Sequence, residues 1–144
     1  MPKLPDEAVQ AQRNLVIQAH LEAECITHDV DATVATFRHA RYEIPALGTT
    51  ADGPAAVHDL LTAVLDAFPD FYIRPVSYYD SETAVIVEAV LGGTQTGPWA
   101  AFPPSGKRME VQSVFIFEFE GAQLVCEKIF FDYATLLRQI RTTN

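Results

Sequence analysis

Two glutamates with apolar neighbours are the first candidates for chemistry in this chain. Glu88 interrupts the apolar stretch 85–91, and Glu127 lies in the strand-like segment Gln123–Phe131. A carboxylate among apolar neighbours is either paired with a cation or has a raised pKa, and a raised pKa suits a general base near neutral pH. Either glutamate could be that base. The alternative is a structural ion pair or a polar position near a subunit interface.

A base that removes a proton from carbon needs a partner that stabilises the developing oxyanion. Gln112 and Tyr42 are the candidate hydrogen-bond donors. His39 could also donate to a carbonyl oxygen, but its strand parity differs from that of Tyr42, so only one of the two can point inward. Structural roles are the alternative for both residues.

One helical spacing could hold a metal ion. His20, Glu24 and His28 follow each other at i, i+4 and i+8, which places two imidazoles and a carboxylate along one helix face. No fourth ligand is evident, and residue 28 falls beyond the predicted helix. We therefore interpret these residues as a solvated polar face, and we expect neither a metal nor an organic cofactor.

Composition narrows the class of protein. The 144 residues fit one domain, 1–144, and the net charge of −9 without a basic cluster disfavours nucleic-acid binding. No apolar run reaches the roughly 18 residues of a membrane span. The first residues show no apolar signal-peptide core, so a cytoplasmic protein is expected. The two cysteines, Cys25 and Cys126, have no metal-site spacing and are expected to be free.

The hydrophobic periodicity predicts helices early in the chain and strands late. We expect helices at 6–27, 30–36, 55–68 and 133–140, with Asp132 as the N-cap of the last one. The expected strands are 38–45, 71–79, 83–96, 108–120 and 123–131, and a loop is expected at 46–53. This order indicates an α+β domain in which a curved, mixed or antiparallel sheet wraps around the helices.

Strand alternation assigns faces to the last hairpin, which turns at Gly121-Ala122. If Phe119 pairs near Leu124, Val114 lies opposite Ile129. The pocket face would then carry Gln112, Val114, Glu127, Ile129 and Phe131, and the other face would carry Phe115, Phe117 and Phe119. A sheet that is apolar on both faces must cover both, so the second face is expected to meet another copy of the chain. Trp99 is expected to close the pocket mouth, or to pack on that partner.

Three motifs carry a resemblance to a known family. They are Ala67-Phe-Pro-Asp-Phe, Gly92-Gly-Thr-Gln-Thr-Gly-Pro-Trp with Pro103-Pro-Ser-Gly-Lys-Arg, and Phe117-Glu-Phe-Glu-Gly-Ala-Gln-Leu leading to Phe131-Asp-Tyr-Ala-Thr-Leu-Leu-Arg-Gln. With these motifs the chain resembles the SnoaL-like polyketide cyclases of the nuclear-transport-factor-2-like superfamily, which includes ketosteroid isomerase. The resemblance implies an NTF2-like cone, a pocket for a small hydrophobic molecule inside it, and a homodimer formed through the outer sheet face.

The catalytic residues of these relatives do not transfer. The resemblance places the cyclase base on the last strand, where this chain has Ile129, and the isomerase base before Pro45, where it has Ile44. The Arg-x-Asp arrangement of the epoxide hydrolases in this superfamily is also missing. The most similar segment is Arg108-Met-Glu110. Two hypotheses remain. One is an enzyme that uses Glu127 or Glu88 as the base on a hydrophobic carbonyl compound. The other is a binding or assembly module without catalysis.

Overall fold

The computed structural model describes residues 3–141 as four helices and six strands. The helices are α1 (Glu7–Cys25), α2 (Val30–Ala35), α3 (Pro54–Ala67) and α4 (Tyr133–Ile140). The strands are β1 (Arg41–Ile44), β2 (Thr49–Asp52), β3 (Tyr72–Asp80), β4 (Ala84–Thr94), β5 (Arg108–Glu120) and β6 (Gln123–Phe131). The predicted helices and the five predicted strands are therefore confirmed within a few residues.

The strands form one mixed sheet in the order β2-β1-β6-β5-β4-β3. Neighbouring strands are antiparallel except β1 and β6, which run parallel. β2 and β3 are the two edges, so the sheet is open and curves around the helices as the α+β prediction requires. The core lies between the helices and the concave face of the sheet.

The segment 46–53 was expected to be a loop, and that prediction is wrong. A 3₁₀ turn at Pro45–Leu47 and the left-handed Gly48 reverse the chain, and Thr49–Asp52 then pairs antiparallel with β1. Four residues with an exposed, polar pattern give too little hydrophobic periodicity to be recognised as a strand.

Aspartates begin three of the helices. Asp6, Asp29 and Asp132 each accept a hydrogen bond from the backbone N–H three residues later, at 2.9, 2.9 and 3.0 Å. Each bond satisfies one of the N–H groups that a helix start leaves free. The prediction that Asp132 caps the last helix is confirmed.

A β-bulge reverses the predicted faces of β5. Phe119 pairs with Leu124 as expected, but Glu118 pairs with Cys126, so one extra residue is inserted in β6 at Val125. From there the register shifts by one, and Phe115 rather than Val114 lies opposite Ile129. Phe115, Phe117 and Phe119 are consequently buried in the core. The prediction that they face a partner subunit is wrong.

The loop between β4 and β5 is tied to the end of α3. The backbone N–H groups of Thr96 and Gly97 both donate to the Ala67 carbonyl, at 3.0 and 3.2 Å. A Cβ at Gly97 would lie 2.1 Å from the Asp66 carbonyl oxygen, so only glycine permits this approach. The loop then turns back at Trp99 and Phe102, whose backbones exchange two hydrogen bonds. These contacts hold the backbone of the loop at Trp99.

The structure can also be compared with the predictions about free cysteines and about membrane-spanning segments. Cys25 and Cys126 are both free, as expected. Within residues 3–141, no helix combines the length and the apolar composition that a membrane-spanning helix needs.

The face assignment of β5 and β6 predicts different costs for two phenylalanine truncations. Phe117→Ala should lower the free energy of unfolding by about 3–5 kcal/mol, because its side chain is fully buried. Phe130→Ala should cost much less, since Phe130 is 42 % exposed on the other face. Urea unfolding measures both losses in the free energy of unfolding. The protein concentration is chosen so that the unfolding midpoint no longer changes with it. The reverse order of the two losses would contradict the assigned register.

Candidate functional site

A cavity of about 60 Å³ lies inside the cone. Its walls come from the concave sheet face, from α3 and α4, and from the Trp99 loop. The lining is almost wholly aliphatic and aromatic, and among the described residues that line it only Glu24 and Tyr42 have side-chain oxygens. Pockets for drug-sized ligands measure about 300–1,000 Å³, so this cavity admits only a small molecule unless its mouth opens.

Four polar side chains meet beneath the cavity, and we call them the buried cluster: His20, Glu24, Tyr42 and Glu127. His20, Tyr42 and Glu127 are 0, 1 and 0 % exposed, and Glu24 is 7 % exposed. His20 and Glu24 lie one turn apart on α1. Tyr42 and Glu127 are directly paired residues of the parallel strands β1 and β6, so their side chains leave the sheet on the same face.

His20 Nε2 is the point on which the oxygens of the buried cluster converge. It lies 2.8 Å from Glu24 Oε2, 3.1 Å from the Tyr42 hydroxyl and 3.5 Å from Glu127 Oε2. The Tyr42 hydroxyl donates to Glu24 Oε2 at 3.3 Å. Neither oxygen of Glu127 has a hydrogen-bond partner among residues 3–141. Buried carboxylate oxygens without a hydrogen bond are uncommon in folded proteins, so their presence here points to a functional reason.

The other ring nitrogen of His20 has a fixed proton. Nδ1 lies 2.8 Å from Thr36 Oγ1, and the Thr36 hydroxyl donates its own proton to the Thr33 carbonyl at 2.7 Å. Thr36 Oγ1 can therefore only accept from His20, so Nδ1 carries a hydrogen. The ring consequently presents Nε2 to the two carboxylates.

The electrostatics of the buried cluster favour a charged His20. Burial opposes that charge, but the carboxylates of Glu127 and Glu24 outweigh it and raise the pKa of His20 to about 10. Burial raises the pKa of Glu127, and the charge of Glu24 raises it further against the opposing effects of His20 and Tyr42. Burial, followed by the charges of Glu127 and Glu24, raises the pKa of Tyr42 well above its usual value, so its hydroxyl stays a donor.

Arg13 holds α1 in the position that the buried cluster needs. Its Nε donates to the Gly121 carbonyl at 2.7 Å, and its terminal nitrogens donate to the carbonyls of Ser81 and Glu82 at 3.3 and 3.1 Å. Its guanidinium carbon lies 5.2 Å from the centre of the Phe119 ring. One buried cation therefore joins α1 to two hairpin turns, seven residues before His20.

Comparison with known proteins identifies the family. The model of the SnoaL-like polyketide cyclases matches residues 15–140. The chain belongs to this family. No curated protein matches the sequence.

Solved structures show the same fold at low sequence identity. A provisionally assigned polyketide cyclase from Xanthomonas campestris is 18 % identical, with a TM-score of 0.81 over 92 % of this chain and 99 % of that one. A provisionally assigned SnoaL-like polyketide cyclase from Jannaschia is 16 % identical, with a TM-score of 0.79 over 99 % and 100 %. A hypothetical protein with the ketosteroid isomerase-like fold from Catenulispora acidiphila, in complex with trimethylamine, is 17 % identical, with a TM-score of 0.75 over 87 % and 91 %. The predicted NTF2-like fold is confirmed.

The structure brings several of the predicted site residues together. Glu127 and Tyr42 both belong to the buried cluster, and Ile129, Phe131 and Trp99 line the cavity. Ile129, at the position where the resemblance implies the base, lines the cavity with an apolar side chain. The carboxylate that reaches the cavity comes instead from Glu24 on α1.

Three predicted site residues lie on the convex face of the sheet. Glu88, Gln112 and Val114 are exposed there and surround a separate surface concavity. The prediction that Gln112 and Val114 face the pocket is wrong because the bulge at Val125 shifts the register. Glu88 pairs directly with Val114 across β4 and β5, so it shares that outer face.

His39 also lies outside the cavity. It precedes β1, is exposed, and its Nε2 contacts Asp52 Oδ1 at 2.9 Å. Tyr42, three residues later, is the residue that points inward. The parity argument therefore separated these two residues correctly, and the expectation that His39 lines the pocket is wrong.

His20 and Glu24 are the functional candidates that sequence reasoning misplaced. They were interpreted as part of a solvated face, and both are buried. His28 does not join them, because its Nε2 contacts the Phe71 carbonyl at 2.8 Å. One signal was present in the sequence. The buried face of α1 runs at three- and four-residue spacing through Arg13, Ile17, His20 and Glu24, and polar residues at such positions need buried partners.

The raised pKa of His20 predicts a doubly protonated ring at about pH 8 in the presence of a chelator. Because the unfolded chain loses that proton near pH 6.5, the stabilisation is complete below about pH 6.5 and is lost as the pH rises toward 10. The raised pKa of Glu127 acts in the same direction. Proton–nitrogen correlation spectra of the imidazole rings check the protonation state, and urea unfolding against pH checks the trend. A neutral His20 ring at about pH 8 would contradict the assignment.

Proposed function

We propose that this chain is a small-molecule enzyme that moves protons on a hydrophobic carbonyl compound, in cyclase or isomerase chemistry. One observation carries the proposal. A carboxylate, Glu24, and a hydroxyl donor, Tyr42, lie 3.3 Å apart at one end of an otherwise apolar cavity. Base and oxyanion donor are the two groups that enolate chemistry needs, and the family of the chain is that of polyketide cyclases.

Proton removal is the first proposed step. A ligand with its carbonyl oxygen against Tyr42 places the neighbouring C–H bond near Glu24. Glu24 takes the proton, the electron pair of the C–H bond moves into the enolate, and the Tyr42 hydroxyl turns its single proton from Glu24 Oε2 to the enolate oxygen. Tyr42 suits this role because its raised pKa keeps the hydroxyl protonated.

The second step returns the proton. In a cyclase, the enolate carbon attacks a second carbonyl carbon of the same ligand, a C–C bond forms, and the new alkoxide takes the proton from Glu24. In an isomerase, the proton returns to a different carbon of the enolate system. Both sequences balance without an oxidant or reductant, and both leave Glu24 ionised for the next turnover.

His20 and Glu127 support Glu24 in this proposal. His20 holds the Glu24 carboxylate through Nε2 at 2.8 Å and is itself held by Thr36. Glu127, one of the two candidate bases from the sequence, does not line the cavity, so we assign the contact with ligand to Glu24. Glu127 Oε2 lies 3.5 Å from His20 Nε2, so the Glu127 carboxylate also interacts electrostatically with the His20 ring.

The cavity selects the class of substrate. About 60 Å³ holds only a few non-hydrogen atoms. Leu47 and Trp99 line both the cavity and a neighbouring surface concavity, which also includes Tyr133. A ring-sized ligand must therefore move Leu47 or Trp99, and we propose that the Trp99 loop is the mouth.

Replacement of Glu24 tests the proposed base. Trp99 is the sole tryptophan of the chain, so its fluorescence reports binding of small ketones and of diketones able to cyclise. Glu24→Gln should lower the turnover of any accepted ketone by about 10²–10⁴-fold while binding persists, and Tyr42→Phe should also lower it. The control is Glu22→Gln, an exposed glutamate on the same helix. Unchanged turnover in Glu24→Gln would exclude Glu24 as the base.

A second candidate function is non-catalytic binding of a small organic cation. Aromatic rings of Phe68, Trp99, Phe115 and Phe131 line the cavity together with the Glu24 carboxylate. Aromatic faces and a carboxylate are a common setting for alkylammonium groups. The Catenulispora relative was solved in complex with trimethylamine. In the same fluorescence titration, binding of trimethylamine without turnover of any ketone would favour this function.

We also propose that the outer sheet face forms a homodimer. Val76, Val114 and Phe130 are 59, 36 and 42 % exposed, and all three line the concavity on that face. An apolar patch of this kind on a sheet is commonly covered by another subunit.

The dimer proposal predicts opposite effects of two matched substitutions. Phe130→Glu should convert a dimer to a monomer because it buries a charge in the interface. Leu15→Glu makes the same type of change at an exposed position of α1 and should leave the dimer intact. Light scattering coupled to size-exclusion chromatography measures the mass. A monomeric unmodified chain, or a dimer that survives Phe130→Glu, would contradict the proposal.

A further inference from the structure

We propose that His20, Glu24 and Glu127 form a binding site for one divalent transition-metal ion. The proposal goes beyond the acid–base function, because it concerns what else the buried cluster can hold. The observation that points to a ligand is Glu127. Its side chain is fully buried, neither of its oxygens has a hydrogen-bond partner in the part of the chain that the structure describes, and Oε2 lies 3.5 Å from Nε2 of the His20 ring. A metal ion would supply the missing partner.

The donor atoms have the spacing of a metal site. One nitrogen or oxygen each from His20, Glu24 and Glu127 all lie within 4.8 Å of one another. Around a tetrahedral ion with bonds of about 2.0–2.2 Å, donor atoms are separated by about 3.4 Å. The two separations from His20 Nε2, 2.8 and 3.5 Å, lie on either side of that value. Small side-chain rotations therefore suffice to place an ion among the three.

The fourth coordination position of the ion has two candidate occupants. The Tyr42 hydroxyl lies 3.1 Å from His20 Nε2 and 3.3 Å from Glu24 Oε2, so it can complete the set. Glu24 and Tyr42 also border the cavity, and a small ligand there could take the same position. Three protein ligands with one exchangeable position are typical of reactive metal sites.

The surroundings of His20 match those of a metal-binding histidine. Such a histidine usually donates its second ring N–H to a neighbouring acceptor, which fixes the ring and directs the other nitrogen to the ion. Thr36 Oγ1 is that acceptor at 2.8 Å, and its own proton is committed to the Thr33 carbonyl. Nε2 is consequently the nitrogen that faces both carboxylates.

Charge also favours a dication. Glu24 and Glu127 are buried side by side, and among the described residues the only basic side chain that contacts either is His20. When an ion binds, His20 gives up its Nε2 proton, and the neutral imidazole with two carboxylates then carries two negative charges, which one divalent ion balances. The nitrogen ligand favours zinc, cobalt, nickel or ferrous ions over calcium and magnesium, which prefer oxygen alone.

Titration of the full chain with Zn²⁺ after chelator treatment tests the site. Calorimetry should give one ion per chain with a dissociation constant tighter than about 1 µM. Glu127→Gln should weaken binding by at least about 100-fold, and Thr36→Val by about 10–100-fold. The matched control is the double variant His39→Asn/His58→Asn, which removes two exposed histidines that also contact aspartates. It should bind as the unmodified chain does.

A spectroscopic measurement keeps the proposal testable if Glu127→Gln fails to fold. In the unmodified chain loaded with ¹¹³Cd²⁺, coupling between the ion and Nε2 of His20 should appear. Absence of tight binding, or binding lost in the His39/His58 double variant and kept in Glu127→Gln, would overturn the proposal. Turnover of ketones by the chelator-treated chain decides the acid–base function separately. Each proposal can therefore fail while the other stands.

Discussion

One extra residue in the β5–β6 hairpin determines which side chains this protein buries. The bulge at Val125 lets Leu124 and Glu127 both point inward although they are three residues apart. Without it, strict alternation would place either the tip of the hairpin or the Glu127 end on the wrong face. The same shift puts Phe117 opposite Glu127, so an aromatic ring packs beside the buried cluster. The His20 ring contacts that phenylalanine edge-on, at 5.5 Å between centroids.

The buried cluster is costly for the fold. A histidine, a tyrosine and two glutamates are withdrawn from water, and Glu127 receives no hydrogen bond in return from any described residue. Hydrophobic residues of similar volume would give a more stable core at these positions. Stability therefore does not explain their presence. Such violations of core packing are expected where a protein binds or transforms a ligand, and the cavity that meets Glu24 and Tyr42 lies at that point.

The sequence predicted the bounds of helices and strands better than it predicted which face of each strand is buried. The bounds of β5, β6 and α4 agree with the expected ranges because long periodic segments and an N-cap define them. The faces of Gln112 and Phe117 were wrong because a bulge leaves no clear mark in apolar residues such as Val125. β2 was missed because its four residues carry too little hydrophobic periodicity to predict a strand. Its strand conformation depends on pairing with β1, which the sequence pattern does not show. Glu127 was named as a candidate because a carboxylate in a strand-like segment is conspicuous, and Tyr42 because one parity of its strand points inward. His20 and Glu24 resemble ordinary helix-surface residues until the sheet covers them.

Ile129 and Glu24 together define how a ligand would be oriented. In the resemblance to the cyclases, the base projects from the last strand, and here that strand offers Ile129 to the cavity. Isoleucine at that position presents an apolar side chain, and the polar side chains of the cavity come from Glu24 on α1 and Tyr42 on β1. The cavity consequently has a single polar pole. A ligand with one polar group and an apolar body has only one favourable orientation in such a space, because its polar end must meet Glu24 and Tyr42 to avoid an unpaired buried group. With Ile129 on the last strand, polar recognition of a ligand in this cavity falls to Glu24 and Tyr42.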